Sequence, residues 1–394
     1  MSEPDTHQPD TSLVVAFCIE ELSVGGAEQM LVGMANEFVK RGWSVHVVCL
    51  TKAGELAGRL DAAVQLHVLD KKTGVDIKLC WRLRKCVAQI KPDVINAHLW
   101  VANAWSRISL LGCKVPIIVT EHSRDSWKPR HYRWLDRLLA RKAARMVAVS
   151  KDTADFYVNT IGIRESLICV INNGVDTALY ANGQGSEVRC NWLGRSIDDT
   201  SAKPRPFLIG TVGRLVPAKN HLRLIDACAA LINDSCLSAQ VKIVLKIVGE
   251  GPERGRLQQH IEKLGLGHRI SLSGERHDIP DVLSSFDLFV LSSDREGHPL
   301  TALEAQSAGT PVVLTDAGGS SEAIAREGSN VGGVLVEPDV EALSHAIRQM
   351  IMDPKLLREY GLFAQDYART YFDKMLMLDR YESLFSAALT ANEP

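Results

Sequence analysis

From Leu13 onward, short runs of apolar residues alternate with stretches whose apolar positions recur every three or four residues. The first pattern fits buried parallel strands and the second amphipathic helices, so the chain reads as βαβ units from end to end. In the first half, strands are predicted at Leu13–Ile19, Ser44–Leu50, Gln65–Val68, Val94–His98, Pro116–Thr120, Arg145–Val149 and Leu167–Ile171. Helices fit between them at 26–41, 76–90, 101–111, 130–143 and 151–160. In the second half, strands fit at Phe207–Val212, Lys242–Val248, Ile270–Ser273, Leu288–Leu291, Pro311–Leu314 and Gly333–Leu335. Helices there fit at 219–233, 252–264, 279–285, 300–308, 320–325, 339–352 and, in pieces, 355–388. Between the two series, Ala181 to Pro206 is rich in Gly, Ser, Asp and Pro around one helical scrap, Glu187–Leu193, and has the composition of a linker. The fold class is therefore α/β: two doubly wound, Rossmann-like domains, 1–180 and 207 onward, facing across a cleft. Ligands of such sheets bind beyond the carboxyl ends of the strands.

Length agrees, since 394 residues with 46% hydrophobic and 23% charged content exceed what one core organises. The net charge of −2 divides unevenly. Residues 1–190 carry 24 Lys+Arg against 20 Asp+Glu, and the remainder 21 against 27. No broad basic excess results, which argues against a nucleic-acid binder. Nine scattered cysteines without a C-x-x-C pair read as reduced thiols in a cytoplasmic protein, and imply no metal site. Met1 to Thr11 is polar and acidic, unlike a signal peptide, and the apolar runs are strand-length, short of a membrane span.

The richest chemistry lies in Glu296-Gly-His-Pro-Leu-Thr-Ala-Leu-Glu304, directly after the apolar run Leu288–Ser292. A buried strand ends, a Gly/Pro loop turns, and a helix opens with its N–H groups toward the crevice, which is a ready anion site. Phosphate can rest on those amides while the two acids reach neutral hydroxyls on either side, a description that fits a nucleotide sugar. Upstream, the strand Phe207–Val212 delivers Gly213 and Arg214, and Lys219 follows before the next helix. Arg214 and Lys219 either grip a diphosphate from two sides or are solvated loop cations. Gly249 and Gly251 allow a close backbone approach, though a turn with Pro252 at a helix start explains them as well. The turns at Ala308–Pro311 and Ala317–Gly319 read as helix termination and tight turns.

In the first half, paired glycines Gly25 and Gly26 sit at a strand-to-helix turn but lack the third glycine of the dinucleotide fingerprint. His98 closes one strand, and Glu121 with His122 closes the next; each is either a ligand-facing group or a satisfied structural one. The segment Arg124–Arg145 carries eight Lys/Arg against two Asp, with Trp127, Tyr132 and Trp134 interleaved. Arg130, Arg133, Arg137, Arg141 and Arg145 share one helix face, and Tyr132, Leu135, Leu139 and Ala143 the other. The basic stripe is either a solvated face or a contact with an anionic membrane surface or phosphate-bearing acceptor.

Taken in order, these motifs resemble those of retaining GT-B glycosyltransferases of family 4. The residues that carry the resemblance are Gly25–Glu28, Asp93–His98, Val147–Lys151, Ile171–Asp176, Gly213–Leu215 with Lys219, Val248–Gly251 and Glu296–Glu304. The resemblance implies that Arg214 and Lys219 bind the donor diphosphate and that Glu304 hydrogen-bonds the ribose. It implies that Glu296 contacts the transferred sugar, with amides of Gly297, Leu300 and Thr301 completing the cradle. Gly25 and Gly26 would approach the donor, His98 would sit beside the reacting centre, and 371–394 would pack back on the first domain. Gln29-Met30 departs from the family's frequent basic residue there. The expected activity is retaining transfer of a hexose or N-acetylhexosamine from an NDP-sugar, most readily a UDP-sugar, with no cofactor or metal. The expected acceptor is a lipid-linked or growing surface glycan at the cytoplasmic membrane face. A small-molecule acceptor, and an NDP-sugar epimerase or hydrolase, are the alternatives.

Overall fold

The computed structural model describes residues 13–126, 128–194 and 205–390; the polar N-terminus, Trp127 and the second half of the expected linker lie outside them. The chain divides into two compact units. One runs to Ala148, takes in Ala154–Val170 and resumes at Tyr381, while the other consists of Val149–Thr153 and Ile171–Arg380.

The first unit is built on seven strands: β1 (Val14–Ile19), β2 (Ser44–Cys49), β3 (Gln65–Val68), β4 (Val94–His98), β5 (Ile117–Glu121), β6 (Arg145–Ala148) and β7 (Ile168–Val170). All pair in parallel in the order β3-β2-β1-β4-β5-β6-β7. Strands β1, β4 and β5 are the central ones, and their apolar residues are buried on both faces, as expected of a sheet covered by helices on each side. The connecting helices are α1 (Gly26–Lys40), α2 (Ile77–Ile90), α3 (Leu99–Ser109) and α4 (Arg130–Leu139), together with α5 (Lys151–Phe156), which begins in the second unit and ends in this one. The 130–143 pattern tightens into a 3₁₀ turn after Leu139, and the 151–160 pattern widens into a π turn at Tyr157–Ile161.

The second unit has six parallel strands: β8 (Arg205–Val212), β9 (Val241–Val248), β10 (Ile270–Gly274), β11 (Leu288–Leu291), β12 (Val312–Thr315) and, beyond a short hairpin of β13 (Arg326–Glu327) and β14 (Asn330–Val331), β15 (Gly333–Val336). Their order is β10-β9-β8-β11-β12-β15. The helices are α6 (Thr177–Ala181), α7 (Gly185–Leu193), α8 (His221–Asn233), α9 (Ser235–Ser238), α10 (Arg254–Lys263), α11 (Ile279–Ser284), α12 (Leu300–Ser307), α13 (Val340–Met352) and α14 (Pro354–Tyr371), and the last helix, α15 (Lys374–Thr390), starts in this unit and passes into the first at Tyr381. The helix expected at 320–325 is only a 3₁₀ turn at Ser321–Ala323.

Two stretches differ from the expected organisation. Residues 181–194 carry the expected short helix, as α7 from Gly185 to Leu193, but it is packed on the second unit rather than free, with Trp192 stacked on Phe286 at 5.6 Å. The small Gly185 lets α7 approach Ser284 and Ser285, where a Cβ would collide with backbone at 2.3 Å. The tail rejoins the first unit at Tyr381, ten residues later than the resemblance implies. There the rings of Phe38 and Trp43 pack on Phe385 at 5.5 and 6.0 Å, and Glu382 accepts from Trp43 and pairs with Arg41.

Candidate active site

In a doubly wound sheet the strand order reverses at one place, and the loops leaving the two strands there diverge to open a crevice. In the second unit the reversal falls between β8 and β11. Their loops carry Gly213, Arg214 and Lys219 on one side and Ser292 to Thr301 on the other, the residues singled out in the sequence.

Polar contacts fix these loops to each other. Lys219 Nζ lies 2.6 Å from Glu296 Oε1, which also accepts from Ser293 Oγ at 2.5 Å. Ser292 Oγ donates to the carbonyls of Lys219 and Asn220, and Asp294 N donates to Ala218 O. Asn220 turns the chain at φ 42°, a left-handed conformation asparagine tolerates, and caps α8 by accepting from Arg223 N. Arg214 is exposed.

The Glu296 loop owes its path to glycines. Gly318 is left-handed at φ 74°, where a Cβ would meet Glu296 O at 2.4 Å, and a Cβ on Gly319 would meet Gly297 O at 1.6 Å. The 317–319 turn thus lies directly on the 296–297 backbone, Glu296 N donating to Ala317 O and Gly319 N to Glu296 O. Gly249 and Gly251 act alike, since a Cβ on either would strike the carbonyl of Gly213 or Leu215. They press the β9 loop against the β8 loop. Helix α12 then opens at Leu300 behind Pro299, with no side chain capping its first turn, so Leu300 and Thr301 present amides at the loop.

Glu304 follows inside α12 but is 8% exposed, beside the Tyr180 hydroxyl. Burial pushes its carboxyl up to about 7, against the opposing hydrogen bond from Tyr180. Two buried polar atoms have no protein partner beneath the loop: His298 Nδ1 and Asn173 Oδ1. Both border a cavity of about 170 Å³ that Tyr367, Tyr371 and Arg380 also line. His298 was not singled out in the sequence, although its place between two expected contact residues was a signal.

In the first unit the reversal falls between β1 and β4, so Gly25, Gly26 and His98 also leave a switch point. Gly25 is extended at φ −166°, and a Cβ there would meet the Glu28 carboxylate at 2.3 Å. His98 is fully buried and has both ring nitrogens engaged, with Asn96 Oδ1 at 2.8 Å and His122 Nε2 at 3.1 Å. Burial holds His98 well below the ordinary histidine range, followed by the effect of His122, and burial lowers His122 to about 4. Both rings are therefore neutral near pH 7. Because Asn96 spends its amide hydrogens on Ile118 O and Thr120 Oγ1, its oxygen receives His98 Nε2–H. His98 Nδ1 then accepts from His122 Nε2–H, and the bare nitrogen of the pair is His122 Nδ1. His122 is partly exposed, whereas His98 is fully buried. The next residue, Leu99, is left-handed at φ 66°, a strained turn of the kind that gathers at functional sites.

Behind this pair lies a buried charged cluster. Lys128 Nζ contacts Asp125 Oδ2 at 2.7 Å and Asp136 Oδ2 at 2.9 Å, and Arg107 lies 3.5 Å from Asp136. Glu121 accepts from Asn103 at 2.8 Å and is driven up to about 7 by burial, with Lys128 opposing. Of the basic stripe, Arg130, Arg137 and Arg141 are exposed. Arg145 is exposed as well and donates to Ser166 O, whereas Arg133 is half-buried and donates to the carbonyls of Lys128 and Ser126.

Two family models match the chain: glycosyltransferase family 4 over residues 24–179 and glycosyl transferases group 1 over residues 195–366. A relative from Escherichia coli, a UDP-Gal:alpha-D-GlcNAc-diphosphoundecaprenol alpha-1,3-galactosyltransferase, is 26% identical over 87% of this chain and 89% of its own. A D-inositol 3-phosphate glycosyltransferase of Gordonia bronchialis is 26% identical over 88% of this chain and 81% of its own. The crystal structure of Anabaena HepE with UDP and glucose superposes with a TM-score of 0.79 at 26% identity, covering 95% of this chain and all of that one.

Proposed function

Since the chain belongs to the GT-B glycosyltransferases of the group 1 and family 4 type, we propose that it moves a hexose or N-acetylhexosamine from a UDP-sugar to a lipid-linked or growing surface glycan. Retention of configuration, independence from metal, and a place at the cytoplasmic membrane face belong to the same proposal. The observation that carries it is the Lys219–Glu296 pair at the switch point of the second sheet, beside the uncapped start of α12. A donor diphosphate meets two cations, Arg214 and Lys219, and the amides of Leu300 and Thr301. Lys219 then exchanges its protein carboxylate for phosphate, and Glu296 is released to hydroxyls of the sugar. Glu304 accepts from the ribose, with Tyr180 holding its carboxyl in place.

In the transfer step, the bond from the anomeric carbon to the diphosphate oxygen breaks and the acceptor oxygen bonds the same face. The acceptor proton passes to the departing phosphate, and UDP leaves. Stabilising negative charge on the leaving group is the main lever, and fixed cations and amides supply it without reorganisation. In the first unit, Gly25 and Gly26 approach the donor and the His98–His122 pair stands beside the reacting centre, where His122 Nδ1 is free to accept a hydrogen bond from a sugar hydroxyl.

The experiment combines UDP-hexoses and UDP-N-acetylhexosamines with an undecaprenyl-diphosphate-linked sugar, with and without EDTA, and reads the product anomer by NMR. An α-linked product formed equally with EDTA is expected. An inverted product, or release of free sugar without transfer, overturns the proposal. The likeness to an inositol phosphate transferase favours a second reading, a soluble phosphorylated acceptor, which the same assay tests with inositol phosphate.

A further inference from the structure

The cavity of about 170 Å³ beneath the Glu296 loop is lined wholly by residues of the second unit, and none of Arg214, Lys219, Glu296 and Glu304 borders it. Its buried side is set by two side chains whose open atoms have a definite character. His298 is 4% exposed, and its Nε2 lies 3.4 Å from Glu322 O. A carbonyl only accepts, so Nε2 carries the hydrogen and the unpartnered Nδ1 is a bare acceptor. Burial lowers this histidine to about 4, so the ring is neutral near pH 7. Asn173, 8% exposed, donates through Nδ2 to His298 O at 2.9 Å, which leaves its unpartnered Oδ1 as a second acceptor.

Two acceptors call for a ligand that donates. The carboxylates on the cavity wall are already engaged: Glu322 accepts from Lys151 N and Asp152 N, and Asp373 from Thr177 Oγ1 and Met375 N. Their charge, with the bare acceptors, disfavours an anion. Among the described residues, no group of three or more His, Cys, Asp and Glu could hold a metal ion. On the open side Tyr371 is 52% exposed, its ring 4.4 Å from that of Tyr367. Arg380, also exposed, contributes a guanidinium that only donates.

We propose that this cavity is a second carbohydrate site, in which one pyranose ring places hydroxyl donors on His298 Nδ1 and Asn173 Oδ1, an apolar face on Tyr371 and a hydroxyl oxygen at Arg380. Acceptors inside, with an aromatic ring and a guanidinium at the edge, match a molecule whose surface alternates hydroxyl and C–H groups. The volume is below the roughly 300–1,000 Å³ of sites for drug-sized ligands and suits a single ring. Water satisfies the two acceptors but gives no account of an aromatic ring half in solvent beside them. The site is additional to the proposed transfer and does not depend on it.

The test is saturation-transfer NMR of the whole chain with the methyl glycosides of glucose and N-acetylglucosamine, with and without UDP. The expected result is transfer to the ring protons of at least one glycoside, equal in the two conditions. Tyr371→Ala and His298→Phe each weaken that glycoside by on the order of tenfold, the scale of one lost hydrogen bond or ring contact. The thermal midpoint of Tyr371→Ala stays unchanged, and Glu296→Ala binds the glycoside like wild type. No transfer from either glycoside, or a signal abolished by UDP, overturns the proposal. So does a signal lost through Glu296→Ala but kept in Tyr371→Ala, which places the sugar in the donor crevice instead. Should His298→Phe fail to fold, Tyr371→Ala decides alone, and unaltered affinity in it is fatal.

Discussion

The two switch points are built from opposite electrostatic materials. In the second unit the charges stand at the crevice, where Lys219 and Glu296 neutralise each other through a pair that a ligand can replace. In the first unit the crevice offers a neutral histidine pair, and the charges of Arg107, Lys128, Asp136 and Glu121 are sealed behind it. An exchangeable pair suits a site that must accept and release a diphosphate. A sealed cluster fixes the loop between β5 and α4 and leaves the local field nearly constant while substrates come and go. Each half of this contrast can be broken separately.

The largest effect falls on turnover. Glu296→Ala removes the partner of Lys219 and the proposed sugar contact together, and transfer is expected to vanish while the melting transition stays cooperative. Unaltered turnover in that variant removes Glu296 from the site. In the first unit the corresponding change is Asp136→Ala, which leaves Lys128 and Arg107 buried with one carboxylate fewer. Breaking a buried pair this way costs about 3–5 kcal/mol. Urea denaturation is expected to show that loss, and a shift below about 1 kcal/mol, the worth of an exposed pair, denies the cluster its anchoring role.

Much of this contrast was legible in the sequence, and the rest failed for identifiable reasons. Runs such as Leu288–Leu291 and Val312–Thr315 are strands because every residue is buried, which an unbroken apolar run signals directly. The residues of the second switch point were legible because Gly, Pro and charge cluster where strands end. Depth was not legible. His98 and His122 both close strands, and nothing in the sequence says that one is fully buried and the other partly exposed. Glu304 looked like an open ligand but lies against Tyr180, which reaches it from a helix over a hundred residues earlier. Gly249 and Gly251 looked like turn residues, and it took the opposing carbonyls of Gly213 and Leu215 to give them their purpose.

Lys219→Ala sharpens the second-unit half of the comparison. Donor affinity is expected to fall by ~2–3 kcal/mol, the scale of a lost hydrogen bond to a charged group. Titration calorimetry with UDP reads it, and near-normal affinity counts against the diphosphate role. The effect on affinity should exceed that on stability, because the crevice carboxylate left behind keeps its hydrogen bond from Ser293.

The smallest effect is the pH dependence of stability, in which buried histidines and buried carboxyls of both units act with opposite sign. Burial lowers His98 and takes His122, His221 and His298 to about 4, while His46 and His67 are also lowered. A histidine depressed in the folded state binds its proton more readily when unfolded, so its contribution is full above the unfolded value near 6.5 and is lost as pH falls toward 4. Glu121 and Glu304, both raised to about 7 by burial, act the other way, favouring the folded state as pH falls from 7 toward 4.5. Six histidines outnumber two glutamates, so the thermal midpoint is expected to fall between pH 6.5 and 4. Glu304→Gln removes one opposing group and should steepen that fall. A midpoint that instead rises on acidification would mean that the buried carboxyls, not the neutral histidines, dominate the proton balance of the fold.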